Sequence, residues 1–271
     1  MPADVLVVTV NYHTETDVQA LVRSLERQSA PWRLVVADNG SDAEGASLIA
    51  DLAGRHDNVR IWGTGRNLGY FGAAAAVIRD IGEQRLPDWV VVSNPDITLA
   101  EDFVERLTCV DADVVAPCVL DAASGADVNP FLESRPGRFR TWSRQVIFAR
   151  RPIAALWVLA SILRSRTATA PTARAPGRAR DVYAGHGALL AFRRSYFDRG
   201  GSLRHEPFLF GEELTVAENV RRTGGRLVYA PDVRAAHVGH VATGRWPSRQ
   251  ILSYQRDATR YVHRLLSQQL P

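Results

Sequence analysis

Asn94-Pro95-Asp96 interrupts an apolar run and places a carboxylate where a strand must end. The preceding residues, 90–92, are all valine, which is typical of a buried strand, and proline cannot continue a central ladder. Open α/β sheets bind ligands at the carboxyl ends of their strands, so Asp96 is expected at such an edge. A carboxylate there suits a Mg²⁺ or Mn²⁺ ion that holds a diphosphate. The same triplet also occurs in ordinary turns, and that alternative stays open.

Two adjacent carboxylates, Glu212 and Glu213, follow an aromatic-rich segment. Like charges beside apolar bulk raise at least one pKa, which suits a general base. The alternative is a charged first turn of a helix, where the dipole favours glutamate. Farther along, His237 and His240 lie three residues apart. Together with Asp96 they indicate metal ligands, or else structural histidines.

Two further turns have the residues of a nucleotide site. Asp38-Asn39-Gly40 closes an apolar run, and Asp38 is expected to accept hydrogen bonds from a base or ribose. Arg66, Asn67 and Gly69 precede a predicted helix, whose free N–H groups and positive dipole end favour an anion. Each segment is also compatible with a plain turn or helix entry that binds nothing.

The elements that must position these residues alternate between strand and helix over the first 120 residues. Continuous apolar runs predict buried strands, and runs with a 3.6-residue period predict helices. The predicted strands lie at 5–10, 34–36, 59–62, 89–92 and 114–116, and predicted helices include 18–25 and 72–81. Thr14 and Asp17 are typical of a capping box for the first helix. The alternation predicts an α/β fold with a parallel, doubly wound sheet.

The second half has a different pattern. We expect one continuous domain in two halves, 1–120 with the predicted nucleotide turns and 121–271 with Glu212 and Glu213, which includes a mobile basic segment at 164–182. Its apolar stretch 153–163 is flanked by arginines and is too short to span a bilayer. The stretch predicts either a helix buried against the sheet or, within 150–166, a peripheral contact with a membrane interface.

Composition narrows the class of protein. The chain has 271 residues, 46% of them hydrophobic, and a net charge of +4, which is ordinary for a globular enzyme. All 33 basic residues other than histidine are arginine, which favours an anionic partner but does not indicate nucleic acid. Cys109 and Cys118 have no metal-type spacing, and no signal peptide is expected, so a reducing cytoplasmic setting is predicted.

Taken in order, these segments resemble the inverting glycosyltransferases of family 2, which have the GT-A fold. The resemblance covers about residues 4 to 245 and rests on six pieces, each weak alone. The pieces are Val8-Thr9-Val10-Asn11-Tyr12, Asp38-Asn39-Gly40-Ser41, Asn67-Leu68-Gly69-Tyr70-Phe71-Gly72, Asn94-Pro95-Asp96, Gly187-Ala188-Leu189-Leu190 and Phe208-Leu209-Phe210-Gly211-Glu212-Glu213, followed by His237 after Tyr229-Ala230-Pro231. The last glutamate segment is similar to the rhamnosyltransferase-like and galactofuranosyltransferase-like branch.

The resemblance implies a role for each matching residue. Asp96, with His237 as a second ligand, would bind Mn²⁺ or Mg²⁺, and Glu213 or its neighbour Glu212 would deprotonate the acceptor hydroxyl. The donor, a UDP- or dTDP-sugar, would be bound by residues from four segments: Asn11, Asp38, Asn39, Arg66, Asn67, Gly69 and Asn94. The implied reaction moves rhamnose or another hexose, with inversion, to a saccharide or lipid-linked acceptor in cell-envelope polysaccharide synthesis. The resemblance also implies that 1–120 binds the nucleotide and that 121–271 forms the acceptor side with the catalytic base. The implied location is the cytoplasm, either free or peripheral at the inner face of the cell membrane.

Two departures from the family pattern keep alternatives open. Asn94 replaces the first acid of the Asp-x-Asp motif, and Thr215 stands where the family often has a second acid. One alternative is a catalytically degenerate protein that binds nucleotide-sugars without turnover. Another is a nucleotidyltransferase, although the first predicted strand ends in Asn11-Tyr12-His13-Thr14 instead of the phosphate-gripping loop that such an enzyme needs.

Overall fold

The computed structural model describes residues 3–82, 85–167, 177–239 and 248–268. These residues form an α/β fold built on one nine-stranded sheet. The strands are β1 (Val5–Asn11), β2 (Arg33–Asp38), β3 (Val59–Gly63), β4 (Trp89–Ser93), β5 (Ile97–Leu99), β6 (Val114–Asp121), β7 (Arg180–Asp181), β8 (Leu189–Arg193) and β9 (Leu227–His237). The helices are α1 (Glu15–Glu26), α2 (Ala43–Gly54), α3 (Tyr70–Ile81), α4 (Phe103–Thr108), α5 (Arg138–Ala149), α6 (Arg151–Thr167), α7 (Arg194–Asp198), α8 (Glu212–Arg222) and α9 (Arg249–Ser267).

The sheet order is β3-β2-β1-β4-β8-β6-β9-β5, with β7 also paired to β9. Strands β1 to β4 are parallel to one another, and β8 lies antiparallel between β4 and β6. Strand β9 then runs parallel to β6, so most strands share one direction. The predicted α/β class and mostly parallel sheet are therefore confirmed, and all five predicted strands are present.

Burial on both faces explains the apolar runs. Every residue of β1 is buried, and its side chains alternate between two clusters on opposite faces of the sheet. Val5 and Val7 pack with α1, whereas Leu6 and Val8 pack with α3. Such a strand has no solvent-facing positions, which is why its sequence does not alternate.

The predicted capping box at the start of α1 is wrong. The Thr14 side chain forms no capping bond to the helix. Instead the Thr14 backbone N–H and hydroxyl both donate to Oδ1 of Asn11, at 3.1 and 2.9 Å. In the predicted capping box, a helix residue, Asp17, would accept the hydrogen bond from Thr14. Asn11, at the end of β1, accepts it instead, because the strand-to-helix turn brings its amide closer to Thr14.

The apolar stretch 153–163 falls within α6, which packs against α5 and α9. Ala154 is buried, and Trp157 contacts Phe148 with ring centroids 5.7 Å apart, whereas Ile153 and Leu156 are exposed. Neither predicted alternative describes this arrangement fully, because one side of the helix packs on helices and the other is open. Helices with the length and apolarity of a bilayer span are absent from the residues that the structure describes. Of the segment predicted to be mobile, residues 168–176 lie outside the described ranges.

A buried ion pair ties the second half together. The Arg135 guanidinium donates to both carboxylate oxygens of Glu218, at 2.8 and 3.0 Å, and to the carbonyl of Leu266 near the end of α9. The Tyr183 hydroxyl donates to the same carboxylate at 2.7 Å. Burial raises the pKa of Glu218, but these hydrogen bonds outweigh burial and hold that pKa below its usual value.

We expect Glu218→Ala to lower the free energy of unfolding by about 2–3 kcal/mol, because it leaves a partly buried arginine unpaired. The full cost for a buried pair is larger, but Arg135 keeps 31% of its side chain exposed. Since the pKa of Glu218 is depressed, this stabilisation is present above the ordinary glutamate pKa and is lost as the pH falls below it. Urea unfolding at pH 7 and pH 4 measures both effects. Asp102→Ala, which breaks an exposed pair with Arg106, is the control and should cost less than about 1 kcal/mol.

Candidate active site

Asp96 and His237 meet at one edge of the sheet. Strand β4 stops at Asn94-Pro95, and the chain turns into β5, which pairs with β9 so that Ile97 lies opposite His237. His237 Nε2 is 3.2 Å from Asp96 Oδ1, and both side chains are largely buried. The hydrogen bond with Asp96 raises the pKa of His237 above its ordinary value, against the opposing effect of burial. The two predicted metal ligands are thus in direct contact.

This pair supplies one hard oxygen and one imidazole nitrogen. Among the residues that the structure describes, no three His, Cys, Asp or Glu side chains form a group able to hold a metal ion. Two protein ligands nevertheless fit a cation that completes its coordination with substrate phosphates and water, as Mg²⁺ commonly does. His240, the other histidine of the predicted pair, lies outside the described ranges.

Glu212 and Glu213 begin α8 behind a tight loop. Phe210 and Gly211 both have left-handed backbones, with φ of 73° and 91°. Glu212 accepts a hydrogen bond from the Phe210 backbone N–H at 2.9 Å, so its carboxylate braces the loop. Burial raises the pKa of both glutamates, and the charge of Glu213 raises the pKa of Glu212 further.

Thr215 braces the same loop instead of acting as an acid. Its hydroxyl lies 2.8 Å from Nδ1 of His205, whose Nε2 is 3.1 Å from the Phe210 carbonyl oxygen. Burial lowers the pKa of His205 to about 4, so the ring is neutral. The departure at Thr215 is therefore explained by a hydrogen-bonded link between α8 and the Phe208–Gly211 turn.

Residues 186–187, just before β8, contact both the Asp96–His237 pair and the Glu212–Glu213 pair. The His186 ring lies 6.2 Å from the His237 ring, centroid to centroid, and the Gly187 N–H is 3.4 Å from Oε1 of Glu213. A Cβ at position 187 would approach that oxygen to 3.1 Å, so glycine gives the carboxylate its space. His186 was not predicted as a site residue, and only the neighbouring Gly187-Ala188 piece of the family pattern signalled this segment.

Tyr70 was also missed by the sequence analysis. Its hydroxyl is buried and has no hydrogen-bond partner among the described residues. Burial raises the pKa of Tyr70, and the charges of Glu212, Asp96 and Glu213 raise it further. The neutral hydroxyl therefore lies within electrostatic range of all three carboxylates. A buried unpaired hydroxyl is costly, which is typical of a position that a ligand completes.

The predicted nucleotide-binding residues differ in how many of their side-chain atoms already form hydrogen bonds within the protein. Asn11 bonds Thr14, Glu15 and Ser41 with both amide atoms. Asp38, at the end of β2, accepts from the Ser41 N–H and hydroxyl through Oδ1 alone. Oδ2 of Asp38 has no hydrogen-bond partner among the described residues, so it is the atom best placed to contact a ligand.

Asn39 organises the next loop. It is 2% exposed, accepts from the Leu68 N–H at 2.8 Å and donates to Asn67 Oδ1 at 2.8 Å. Gly69 has φ of 74°, and a Cβ there would collide with the Phe208 carbonyl oxygen. Glycine is therefore required for contact with the loop before Glu212, whereas the sequence analysis expected it to admit a ligand. Arg66 is exposed beside this loop, and Asn94 is half-buried where β4 ends.

A cavity of about 400 Å³ leads to Glu213 from the other side. Helices α5, α6, α8 and α9 supply most of its walls. The lining residues include Arg140, Thr141, Arg144, Phe148, Trp157, Glu213, Gln255 and Thr259. Glu212 is not among the residues that line it. Of the two adjacent glutamates, Glu213 is thus the one that lines the cavity.

Comparisons with known proteins show the family and the fold of this chain. The model of the family described as "Glycosyltransferase like family 2" matches residues 2–260. A curated relative, the N-acetylglucosaminyl-diphospho-decaprenol L-rhamnosyltransferase of Mycobacterium tuberculosis strain H37Rv, is 28% identical over 274 residues. That alignment covers 94% of this chain and 82% of the relative.

Solved structures share the fold at low identity. GalNAc-T7 with UDP, GalNAc and Mn²⁺ has a TM-score of 0.58 and 15% identity, and the match covers 96% of this chain but 48% of that one. The mannosyltransferase PcManGT from Pyrobaculum calidifontis, in complex with GDP-Man and Mn²⁺, has a TM-score of 0.53 and 16% identity, covering 98% and 74%. The matched family model spans nearly the whole chain, so this protein is a glycosyltransferase and belongs to the glycosyltransferase-like family 2.

Proposed function

We propose that the enzyme transfers rhamnose or another hexose, with inversion, from a UDP- or dTDP-sugar to a hydroxyl of a lipid-linked saccharide. The observation that carries this proposal is the contact between Asp96 and His237, beside a Tyr70 hydroxyl that lies within electrostatic range of Asp96 and Glu213 and has no hydrogen-bond partner among the described residues. The lipid-linked acceptor follows from the name of the curated relative. The product would serve cell-envelope polysaccharide synthesis at the inner face of the membrane.

Glu213 is proposed as the base. A hydroxyl entering the cavity reaches this carboxylate, which takes its proton while the oxygen bonds to the anomeric carbon. The bond from that carbon to the diphosphate breaks on the opposite face, so the centre inverts. Glu212 holds the Phe210 turn in place, and Tyr70 donates a hydrogen bond to an oxygen of the sugar or diphosphate.

The donor would lie along the carboxyl ends of β1, β2 and β4. Asp38 would accept from the nucleoside through Oδ2, and Arg66 would offset diphosphate charge. Asn11, Asn39, Asn67 and Gly69 would shape this site through the hydrogen bonds and close contact already described, and Asn94 would line it. Asp96 and His237 would hold Mn²⁺ or Mg²⁺, which would supply charge neutralisation for the leaving diphosphate.

Donor binding can be tested without an acceptor. We expect UDP or dTDP, together with Mn²⁺, to raise the melting temperature by several degrees, since a ligand at 100 times its Kd adds about 2.7 kcal/mol of stability. GDP should act more weakly. Thermal unfolding of the native chain and of Asp38→Ala, with and without Mn²⁺, measures both the base preference and the role of Asp38.

Asp42→Ala is the matched control, because Asp42 lies four residues farther along and its carboxylate caps α2 by accepting from the Gly45 N–H. A shift for UDP or dTDP that survives in Asp38→Ala would remove Asp38 from the donor site. A folded native chain that no nucleotide stabilises would overturn the proposed donor class.

Peripheral membrane contact is part of the proposal and has support from exposed apolar side chains. Phe139 and Leu156 are 77% and 68% exposed, on α5 and α6, and Trp142, Val146 and Ile153 are exposed on the same two helices. Arg150 lies between these helices, and Arg151 is the first residue of α6. Apolar side chains next to arginines favour an anionic membrane interface.

We expect the double variant Phe139→Ser, Leu156→Ser to bind anionic vesicles at least about tenfold more weakly, because each apolar side chain gains from leaving water. Sedimentation with vesicles of phosphatidylglycerol and phosphatidylcholine measures the partition. Leu48→Ser is the control, since Leu48 is an exposed apolar residue on α2. Equal loss in the control, or none in the double variant, would contradict the assignment of this surface.

A further inference from the structure

Helix α5 presents two arginines to the cavity that ends at Glu213. Arg140 and Arg144 lie one turn apart and line it together with Thr141 and Phe148. The apolar residues proposed for membrane contact occupy the other side of the same helix. One helix therefore carries the cavity arginines on one side and the proposed membrane surface on the other.

Arg140 and Arg144 differ from Arg135, the nearest arginine before the helix, in their ion pairs among the described residues. Arg135, three residues before the helix, is paired with a buried glutamate, whereas no carboxylate of the described chain forms an ion pair with Arg140 or Arg144. The sequence has eleven arginines and no Asp or Glu between residues 134 and 180. An excess of cations without local carboxylates leaves a site that an external anion neutralises.

Arg144 is held in place despite this excess of charge. Its guanidinium lies over the Trp157 ring, 5.8 Å from the centroid. Burial lowers the pKa of Arg144, and the neighbouring charge of Arg140 lowers it further. An anion bound between the two guanidinium groups would relieve both unfavourable effects.

A polar group deeper in the cavity also lacks a partner. The side-chain carbonyl oxygen of Gln255, on α9, is buried and accepts no hydrogen bond among the described residues. Such an orphaned acceptor is typical of a place where a ligand hydroxyl donates. The cavity thus combines a hydroxyl-binding position, an apolar wall at Phe148 and Trp157, and a cationic entrance.

We infer that Arg140 and Arg144 bind the diphosphate of a prenyl-diphosphate-linked saccharide while Gln255 receives one of its sugar hydroxyls. This inference rests on the proposed function and adds to it the residues that recognise the acceptor. The diphosphate would be fixed at the arginines, the prenyl chain would leave toward the apolar residues of α5 and α6, and the saccharide would extend to Glu213. The enzyme would then select acceptors by their phosphates as well as by their sugar.

A binding measurement tests the arginines without turnover. Geranyl diphosphate, inorganic pyrophosphate and geraniol are titrated into the full chain by calorimetry. We expect geranyl diphosphate to bind most tightly, and Arg144→Gln and Arg140→Gln each to weaken it by about tenfold or more. Arg138→Gln is the control, because Arg138 is exposed on the same helix and does not line the cavity. Unchanged binding in both cavity variants, or equal loss in the control, would overturn the inference.

The KM values for the two substrates then distinguish an effect on acceptor binding from an effect on donor binding. We expect both variants to raise KM for a prenyl-diphospho-N-acetylglucosamine acceptor, while leaving KM for the nucleotide-sugar and for a phosphate-free alkyl N-acetylglucosaminide unchanged. A raised KM for the nucleotide-sugar would instead assign the arginines to the donor diphosphate and overturn the inference. Failure of the native chain to use any acceptor, with geranyl diphosphate binding still lost in the variants, would reject the proposed function but retain the anion site.

Discussion

Glu213→Gln is expected to reduce kcat by about 10²–10⁴-fold, the largest effect of any single substitution considered for this enzyme. Glutamine keeps the size of the side chain and the contact with the Gly187 N–H, but it cannot accept the proton of the acceptor hydroxyl. Donor binding should survive, because the carboxylate faces the acceptor cavity. Single-turnover transfer, measured beside nucleotide binding, separates the two effects.

Glu212→Gln is the matched control for this experiment. Glu212 has the same charge and is also buried, but its carboxylate oxygen accepts from the Phe210 N–H, and an amide oxygen can keep that bond. We expect less than about a tenfold loss in kcat, because the hydrogen bond that braces the turn is kept. A large loss in Glu212→Gln with near-native rates in Glu213→Gln would exchange the two roles.

The pH profile gives an independent check on the base. A general base acts only when deprotonated, and burial raises the pKa of Glu213 above that of an exposed glutamate. The rate should therefore fall on acidification at a higher pH than an ordinary glutamate would allow, and it should be restored as the pH rises. An acidic limb in the ordinary glutamate range would count against a buried base.

Asp96→Asn is expected to have the second largest effect, a loss of about 10²–10³-fold in kcat/KM for the donor. The amide cannot supply the negative charge that holds a cation against the leaving diphosphate. Activation by Mn²⁺ should be lost with it, which titration of Mn²⁺ at a fixed donor concentration would measure. His237→Ala should give a smaller loss, since the carboxylate remains.

Asp121→Asn controls for the removal of charge at this edge of the sheet. Asp121 lies near His237, close enough to raise its pKa, but it is engaged with Ser124 at 2.6 and 2.7 Å. Near-native Mn²⁺ activation is expected in this variant. If Asp96→Asn keeps Mn²⁺ activation while Asp121→Asn loses it, the proposed metal ligand is the wrong carboxylate.

Much of the fold could be predicted from the sequence, because the patterns that indicate its strands are local. Strands buried on both faces, such as β1 and β4, have continuous apolar runs, and Asn94-Pro95 marks where β4 must stop. The contact between Asp96 and His237 was implied by family resemblance, but no local pattern contains it, since it depends on β5 pairing with β9. The same holds for Gly69, whose glycine is explained by a carbonyl oxygen 139 positions farther along the chain.

The residues that the sequence analysis missed have ordinary identities and unusual surroundings. Tyr70 lies in a helix where a tyrosine is ordinary, and its hydroxyl becomes informative only because no other residue that the structure describes forms a hydrogen bond with it. Helix α5 was not among the predicted helices. Phe139, Trp142 and Val146 are exposed on it, whereas Arg140 and Arg144 line the cavity. A pattern that places apolar residues inside therefore gives the wrong orientation for this helix.

The position of β8 in the sheet also determines when β4 can complete its pairing during synthesis of the chain. Strand β4 is buried along its whole length, and its second neighbour is β8, which follows it by nearly a hundred residues. Until residue 193 has left the ribosome, one edge of Trp89-Val90-Val91-Val92 has no partner, and such an edge is an aggregation hazard. The enzyme therefore completes its fold late in translation, and fragments that end before β8 should depend on chaperones to stay soluble.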